Sequence, residues 1–186
     1  MISEGLFFFM KRVIGVAGLP GSGKSLVSNS ARKKGVVIIN MGDFIREEAS
    51  KRNESSGKVA VDLRKEQGEY VLAKMCVDKI RKSGDVNFLI DGIRSTYEVD
   101  LFRRSFKNFK VLSVFSSPRT RFNRLKLRMR DDDSCDYEDF RNRDLRELGF
   151  GIGDVISLSN YIIVNEGHIK NYKFEINKYI QHEFKL

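Results

Sequence analysis

The segment Gly18-Leu19-Pro20-Gly21-Ser22-Gly23-Lys24-Ser25 satisfies G-x-x-x-x-G-K-[ST] in full, and its flanks restrict the fold more than any other stretch of the chain. Before it runs Val13-Ile14-Gly15-Val16-Ala17, a short apolar run of the kind that forms a strand buried on both faces. After it comes a helical pattern over residues 24–34, closed by Gly35. Glycines in such a loop let backbone N–H groups turn inward around a phosphate, which side chains would block. The helix that follows adds the partial positive charge of its N-terminus. In this arrangement Lys24 reaches the β and γ phosphates and the Ser25 hydroxyl ligates magnesium. A chance glycine-rich turn would require neither strand nor helix, so the loop from Gly18 to Ser25 implies ATP and Mg2+.

The rest of the chain repeats this alternation. Further strands are expected at 36–40, 88–90, 111–115 and 161–164. Helices are expected over 44–52 with Asp43 as N-cap, 59–82 with an interruption near Gly68, 96–106, 118–130, 136–148 and 171–185. Residues 53–57 read as a loop and 149–153 as a glycine-rich turn. Strands alternating with helices imply right-handed crossovers and an α/β fold, a five-stranded parallel sheet flanked by helices, in the order 2-3-1-4-5. Ligands of such sheets bind at the carboxyl ends of the strands, and the polar motifs of this chain fall at those ends.

Composition narrows the chemistry. The 186 residues hold two cysteines, Cys76 and Cys135, in no C-x-x-C pair, so neither a disulfide framework nor a cysteine zinc site is expected. Two histidines, His168 and His182, leave little for a histidine triad or metal centre. Catalysis must rest on Lys, Arg, Asp, Ser and backbone groups. The net charge of +9 calls for an anionic partner, a description that nucleic acid, a membrane surface and phosphorylated small molecules all fit. No apolar run approaches a membrane span, and Leu6-Phe7-Phe8-Phe9-Met10 is too short for a signal segment. We expect a cytoplasmic protein with a single domain over residues 10–186, preceded by an extension at 1–9 that ends at a second methionine.

Two strand ends carry further candidates. In Asn40-Met41-Gly42-Asp43-Phe44-Ile45-Arg46, Gly42 stands at a strand-to-helix turn and Arg46 one turn into the helix, where it can fork onto a phosphate. A plain capped helix with a solvated arginine reads equally well there. Asp91 follows Phe88-Leu89-Ile90, as a magnesium-holding carboxylate at the end of a buried strand should.

The loop together with G-D-x-x-R after the second strand resembles the nucleoside monophosphate kinases of the adenylate kinase type. Ile90-Asp91-Gly92-Ile93-Arg94-Ser95 resembles their D-G-x-x-R segment, with the arginine one residue early. From Arg12 to about Gly167 the chain is closer still to archaeal adenylate-kinase-related, dephospho-coenzyme-A-kinase-like proteins. Asn40-Met41-Gly42-Asp43, Asp91-Gly92-Ile93-Arg94-Ser95, Phe150-Gly151-Ile152-Gly153 and Ile163-Val164-Asn165-Glu166-Gly167 carry that likeness. The resemblance implies an acceptor-binding segment over 43–82, with Gly42, Asp43, Arg46 and Arg94 at the acceptor's phosphate. It also implies an arginine-bearing lid region over 119–148 and a base-binding loop after Asn165. A monophosphate acceptor such as AMP needs arginines and no base. A hydroxyl acceptor, as in dephospho-coenzyme A, would use a carboxylate such as Asp43.

Between Leu101 and Arg130 stand ten basic residues and no acidic one. On the helix expected there, Arg121, Arg124 and Arg128 share one face, beside an apolar face of Phe122, Leu125 and Met129. Arg124 and Arg128 are candidates to stabilise the transferring phosphate, faced by Arg141, Arg143 and Arg146 from the next helix. Asp131-Asp132-Asp133 could pair with these arginines until a nucleotide displaces them. A solvated charged surface accounts for most of the other basic residues. A nucleic-acid reading stays open through Phe102, Phe106, Phe109 and Phe122, which interleave with the basic residues as stacking platforms would, although core periodicity also explains them. Asp62, Arg64 and Lys65 read as a solvated helix face or an acceptor wall, Cys76 as core, and Asn165 as a turn residue or a reader of the base edge.

Overall fold

The computed structural model describes residues 11–128 and 135–186. The N-terminal extension, together with Met129, Arg130 and the Asp131–Asp133 cluster, lies outside the described residues.

Val13, Ile14, Val16 and Ala17 are all at most 4% exposed, because β1 (Arg12–Ala17) is the central strand and both its faces are covered. It pairs in parallel with β3 (Asn87–Ile93) and β4 (Lys110–Phe115); β2 (Val37–Asn40) and β5 (Tyr161–Val164) complete the order β2-β3-β1-β4-β5. This is the parallel α/β sheet and strand order expected from the alternation. The register of β1 on β3 shifts between Val16 and Ala17, one step before the chain leaves for the phosphate loop. That irregularity sits beside Gly92, whose φ of 99° turns the end of β3 away from a plain strand.

Helices α1 (Lys24–Arg32) and α9 (Ile169–Phe184) cover one face of the sheet, and Val27, Ala31, Tyr172, Ile176 and Phe184 pack there against Ile14, Val16 and Leu112. On the other face α2 (Met41–Arg52), α3 (Ser56–Gln67), α4 (Val71–Lys82), α5 (Thr96–Ser105) and the short α8 (Ile152–Ser157) build the larger core around Phe88, Ile90 and Phe102. The helices α6 (Pro118–Arg128) and α7 (Tyr137–Gly149) stand above the carboxyl end of the sheet. No helix of the described residues is long and apolar enough to cross a membrane.

Several expectations are corrected. Helix α2 starts at Met41, and its N-cap is Asn40, whose Oδ1 accepts from the Gly42 N–H at 2.9 Å; Asp43 lies inside the first turn. Asn40 is already extended at the end of β2, so its side chain reaches the first orphan amides before Asp43 can. The interruption expected near Gly68 is present, at φ 85°, but the first of the two helices starts at Ser56, inside the expected loop. Met75 is 40% exposed, while Leu72, Cys76 and Ile80, spaced four apart, line the buried stripe. The turn at 149–153 holds the start of α8, which buries Ile152 and Val155. Arg64 does not lie on a solvated face. It is 4% exposed, donates from Nη2 to Glu98 Oε1 at 2.9 Å and lies 4.4 Å from the Phe150 ring centroid. Phe102, Phe106 and Phe109 are buried, so they belong to the core and offer no stacking surface, and Phe122 packs against Tyr137 and Phe140.

Candidate active site

The loop after β1 has its carbonyls fixed by its own lysine and by side chains from distant segments. Lys24 Nζ donates to Gly18 O at 2.5 Å and to Leu19 O at 3.2 Å, and Arg121 Nη1 donates to Pro20 O at 3.2 Å. Ser22 O accepts from Asn165 Nδ2 at 2.8 Å and Ser116 Oγ at 3.2 Å; Gly23 O accepts from the Tyr172 hydroxyl at 3.0 Å. Burial pushes the Tyr172 phenol well above its ordinary pKa, which keeps it a donor. With the carbonyls held outward, α1 begins at Gly23 with no side chain capping its first amides. An N-terminus left open beside a glycine nest fits a phosphate group.

Glycine is required here by space as well as by conformation. Gly21 has φ 79°, and a Cβ on it would lie 2.7 Å from the carbonyl oxygen of Arg121. Gly23, at φ 109°, would drive a Cβ into the Asn165 amide. The loop is packed from behind by α6 and by the end of β5, so no side chain can stand at either position.

Desolvation lowers the Lys24 pKa to about 8, opposed by the nearby charges of Asp91 and Glu147. Asp91, at the end of β3, stands in register with Asn40 of β2 and accepts from Ser28 Oγ of α1 at 2.7 Å. It shares the cavity with Ser25. No cluster of three or more His, Cys, Asp or Glu side chains suited to a metal occurs among the described residues. One hydroxyl and one carboxylate beside a phosphate cradle match the donor set of a magnesium ion that arrives with its nucleotide and keeps several waters.

A cavity of about 580 Å³ is lined by Lys24, Ser25, Gly42, Asp43, Arg46, Asp91, Arg94, Arg124, Arg128 and Arg143. The structure thus brings the residues singled out at three strand ends and two helices to one place. Gly18, Pro20, Gly21 and Gly23 line it too; Leu19 does not, and Ser22 is buried beneath the loop. A second cavity of about 960 Å³ shares Gly42, Arg46, Arg94, Arg143 and Glu147 with the first, and continues past Glu54, Ser55, Ser56 and Arg146 between α2, α3 and α7. The two cavities therefore meet at a seam of arginines.

Not every arginine is arrayed as its spacing suggested. Arg121 is 2% exposed and turned into the fold, where both its Nη groups meet the Asp144 carboxylate of α7, at 2.5 and 2.7 Å. Arg124 lines the cavity but also braces the loop, donating to Ser116 Oγ and Asn165 O at 2.9 Å each. Arg46 pairs with Asp43 one turn before it, on the exposed rim. Arg141 is exposed and lines neither cavity.

Sequence reasoning missed one residue outright, Glu147, and gave another, Asn165, the wrong role. Glu147 of α7 is 3% exposed, and its carboxylate lies 2.8 Å from Arg94 Nε at the seam. Its signal was the spacing of Asp144 and Glu147, three apart beside Arg143 and Arg146, in a helix read only for its cations. Asn165 is buried behind the loop and tied to it, so its side chain is neither a turn cap nor turned to a base. The next residue, Glu166, accepts from Thr120 Oγ1 at 2.7 Å and from the Ser117 N–H, contacts that hold its pKa below the usual carboxylate value and anchor the start of α6.

Residues 17–141 match a family model described as an AAA domain. The "UPF0200 protein" of Methanothermobacter thermautotrophicus is 57% identical over 157 residues, covering 84% of this chain and 83% of the relative. The "UPF0200 protein" of Pyrococcus furiosus is 44% identical over 174 residues, covering 89% and 94%. Among solved structures, shikimate kinase from Bacteroides thetaiotaomicron superimposes with a TM-score of 0.61 at 15% identity, covering 94% of this chain and 98% of that one. Shikimate kinase from Acinetobacter baumannii in complex with shikimate gives 0.60 at 13%, covering 96% of each. Identities this low speak to the fold alone: a P-loop, kinase-like α/β sheet.

Proposed function

The chain belongs to the UPF0200 family and carries the AAA-type domain, and from that footing we propose that it transfers the γ-phosphate of ATP to a small phosphate-bearing acceptor, a nucleoside monophosphate of the AMP type. The observation that carries this reading is the seam at which Arg46, Arg94 and Arg143 line both the cavity of the phosphate loop and the cavity beside α3. An acceptor seated in the second cavity would hold its phosphate toward Lys24.

The division of labour follows from the chemistry of phosphoryl transfer, which asks for positioning and charge neutralisation more than for covalent help. The loop amides and Lys24 hold the β and γ phosphates of the donor. Ser25 and Asp91 would hold magnesium, which supplies neutralisation of the phosphate charge when bound. Arg46, Arg94 and Arg143 orient the acceptor, and Arg124 and Arg128 border the transferring group. A phosphate oxygen attacks as an anion already, so no residue need remove a proton. A cytoplasmic setting, where ATP and such acceptors occur, goes with this role.

A second reading, phosphorylation of a hydroxyl as in dephospho-coenzyme A kinases, is favoured by one feature. Asp43 and Glu147 place carboxylates in the same cavity, where one of them could receive a hydroxyl proton. The two readings separate in one experiment: ATP with each nucleoside monophosphate, with dephospho-coenzyme A, or with RNA, scored by ADP formed. The first reading expects ADP only with a monophosphate, together with a new diphosphate. ADP with dephospho-coenzyme A supports the second, and ADP stimulated by RNA alone would replace both with a nucleotide-gated binding protein. Lys24→Ala should lower every such activity by about a hundredfold or more, as loss of a charge on the transferring phosphate does.

A further inference from the structure

Two carboxylates of helix α7 each close on an arginine from another element, and one of them, Glu147, lines both cavities. Asp144 receives both Nη groups of Arg121, and Arg121 in turn donates to Pro20 O of the phosphate loop and to Ser116 O at the end of β4. The backbone of Arg121 also packs against Gly21. Three residues on, Glu147 lies against Arg94 Nε at 2.8 Å. The backbone of Arg94 is itself fixed, because its N–H donates at 2.7 Å to Glu98, the residue that closes the capping box of α5. Residues three apart share one face of a helix and differ by about 4.5 Å along its axis. One rigid element therefore reaches the phosphate loop through Asp144 and its partner Arg121, and reaches Arg94 through Glu147.

Both carboxylates are largely shielded from water, with side-chain exposures of 13% and 4%. A carboxylate so placed is costly unless it is well paired, and pairing in low dielectric is strongly directional. Surface ion pairs on a solvated helix would have little such leverage.

We propose that Asp144 and Glu147 are positioning residues that use α7 as a ruler, fixing the separation between the phosphate loop and Arg94, and so between the γ-phosphate of ATP and the acceptor's anion. The inference rests on the phosphotransfer reading above. It predicts that the two ends of the ruler fail separately. Lengthening the donor end with Asp144→Glu weakens MgATP about tenfold and changes acceptor binding less than twofold. Shortening the acceptor end with Glu147→Asp does the reverse. Displacements of a methylene's length suffice for such effects where reacting groups are held in register.

The test measures binding of MgATP and of AMP by titration calorimetry for the wild type, the two length variants, and Asp144→Asn and Glu147→Gln. Both length variants keep the charge, so folding is less at risk than in the neutral pair, and circular dichroism on each variant checks it. Opposite selectivity of the two length variants supports the ruler. Equal losses for both ligands in both variants, or no loss in either, would overturn it, leaving α7 a structural support. If the wild type does not bind AMP, the monophosphate reading falls, while the ruler is still decided on MgATP alone. It stands if Asp144→Glu weakens MgATP and Glu147→Asp leaves it unchanged, and it fails if the two act alike.

Discussion

Lys24 combines a required charge with surroundings that oppose it. Burial lowers its pKa to about 8 against an ordinary value near 10.5, so between those pH values the folded chain holds less of this proton than the unfolded chain does. The group's cost to stability is full below about pH 8 and fades as the pH rises towards 10.5. Triphosphate binding reverses the preference, since the anion favours the ammonium. MgATP affinity should be level below pH 8 and fall by up to about tenfold per unit above it, with a proton taken up on binding. Calorimetry at pH 9 in two buffers of different ionisation enthalpy reads that proton directly; zero uptake would place Lys24 away from the phosphates. Lys24, Ser25 and Asp91 were legible because each is specified by its immediate neighbours: a glycine loop, a helix start, the end of an apolar run. Asn165 was not, because its partner Ser22 lies 143 residues earlier and only the folded sheet brings β5 beside the loop.

At the scale of elements, strands and long helices followed from periodicity, and departures came where a tertiary partner outweighed the local pattern. Helix α8 is six residues long and starts at Gly151 with φ 95°, so its glycines signal a turn although Ile152 and Val155 hold it to the core. Arg64 is the plainer case. Its place on α3 suggested solvent, yet it joins α3 to α5 through an ion pair with Glu98, whose side chain is 0% exposed. Replacing Arg64 with Met would leave Glu98 buried without its guanidinium. Urea denaturation should show a loss of about 3–5 kcal/mol, much of it recovered when Glu98→Gln is added. A loss below about 1 kcal/mol would mean that water reaches Glu98 in the folded chain.

For the molecule as a whole, the excess of nine positive charges gathers in part on the cavity wall, where Arg46, Arg94, Arg128 and Arg143 stand with Lys24. The aromatic residues that might have served RNA are largely in the core. Any attraction of RNA should therefore be a field effect of the basic surface, lost as salt rises to about 0.3 M, with no change in ATP turnover. Filter binding across a salt series, run beside an ADP assay, checks both halves; an RNA complex that survives the salt would require a dedicated binding face. The sheet order and the gathering of motifs at its carboxyl end were legible because parallel crossovers leave few alternatives. The second cavity was not, since it exists only between helices.

The brace behind the loop also bears on how the protein comes to be made. A ribosome delivers Ser22 first and the amide that holds it 143 residues later. Over that stretch an emerging chain would carry the glycine motif without the clasp that shapes it. The shaped loop would thus lag well behind the motif that encodes it.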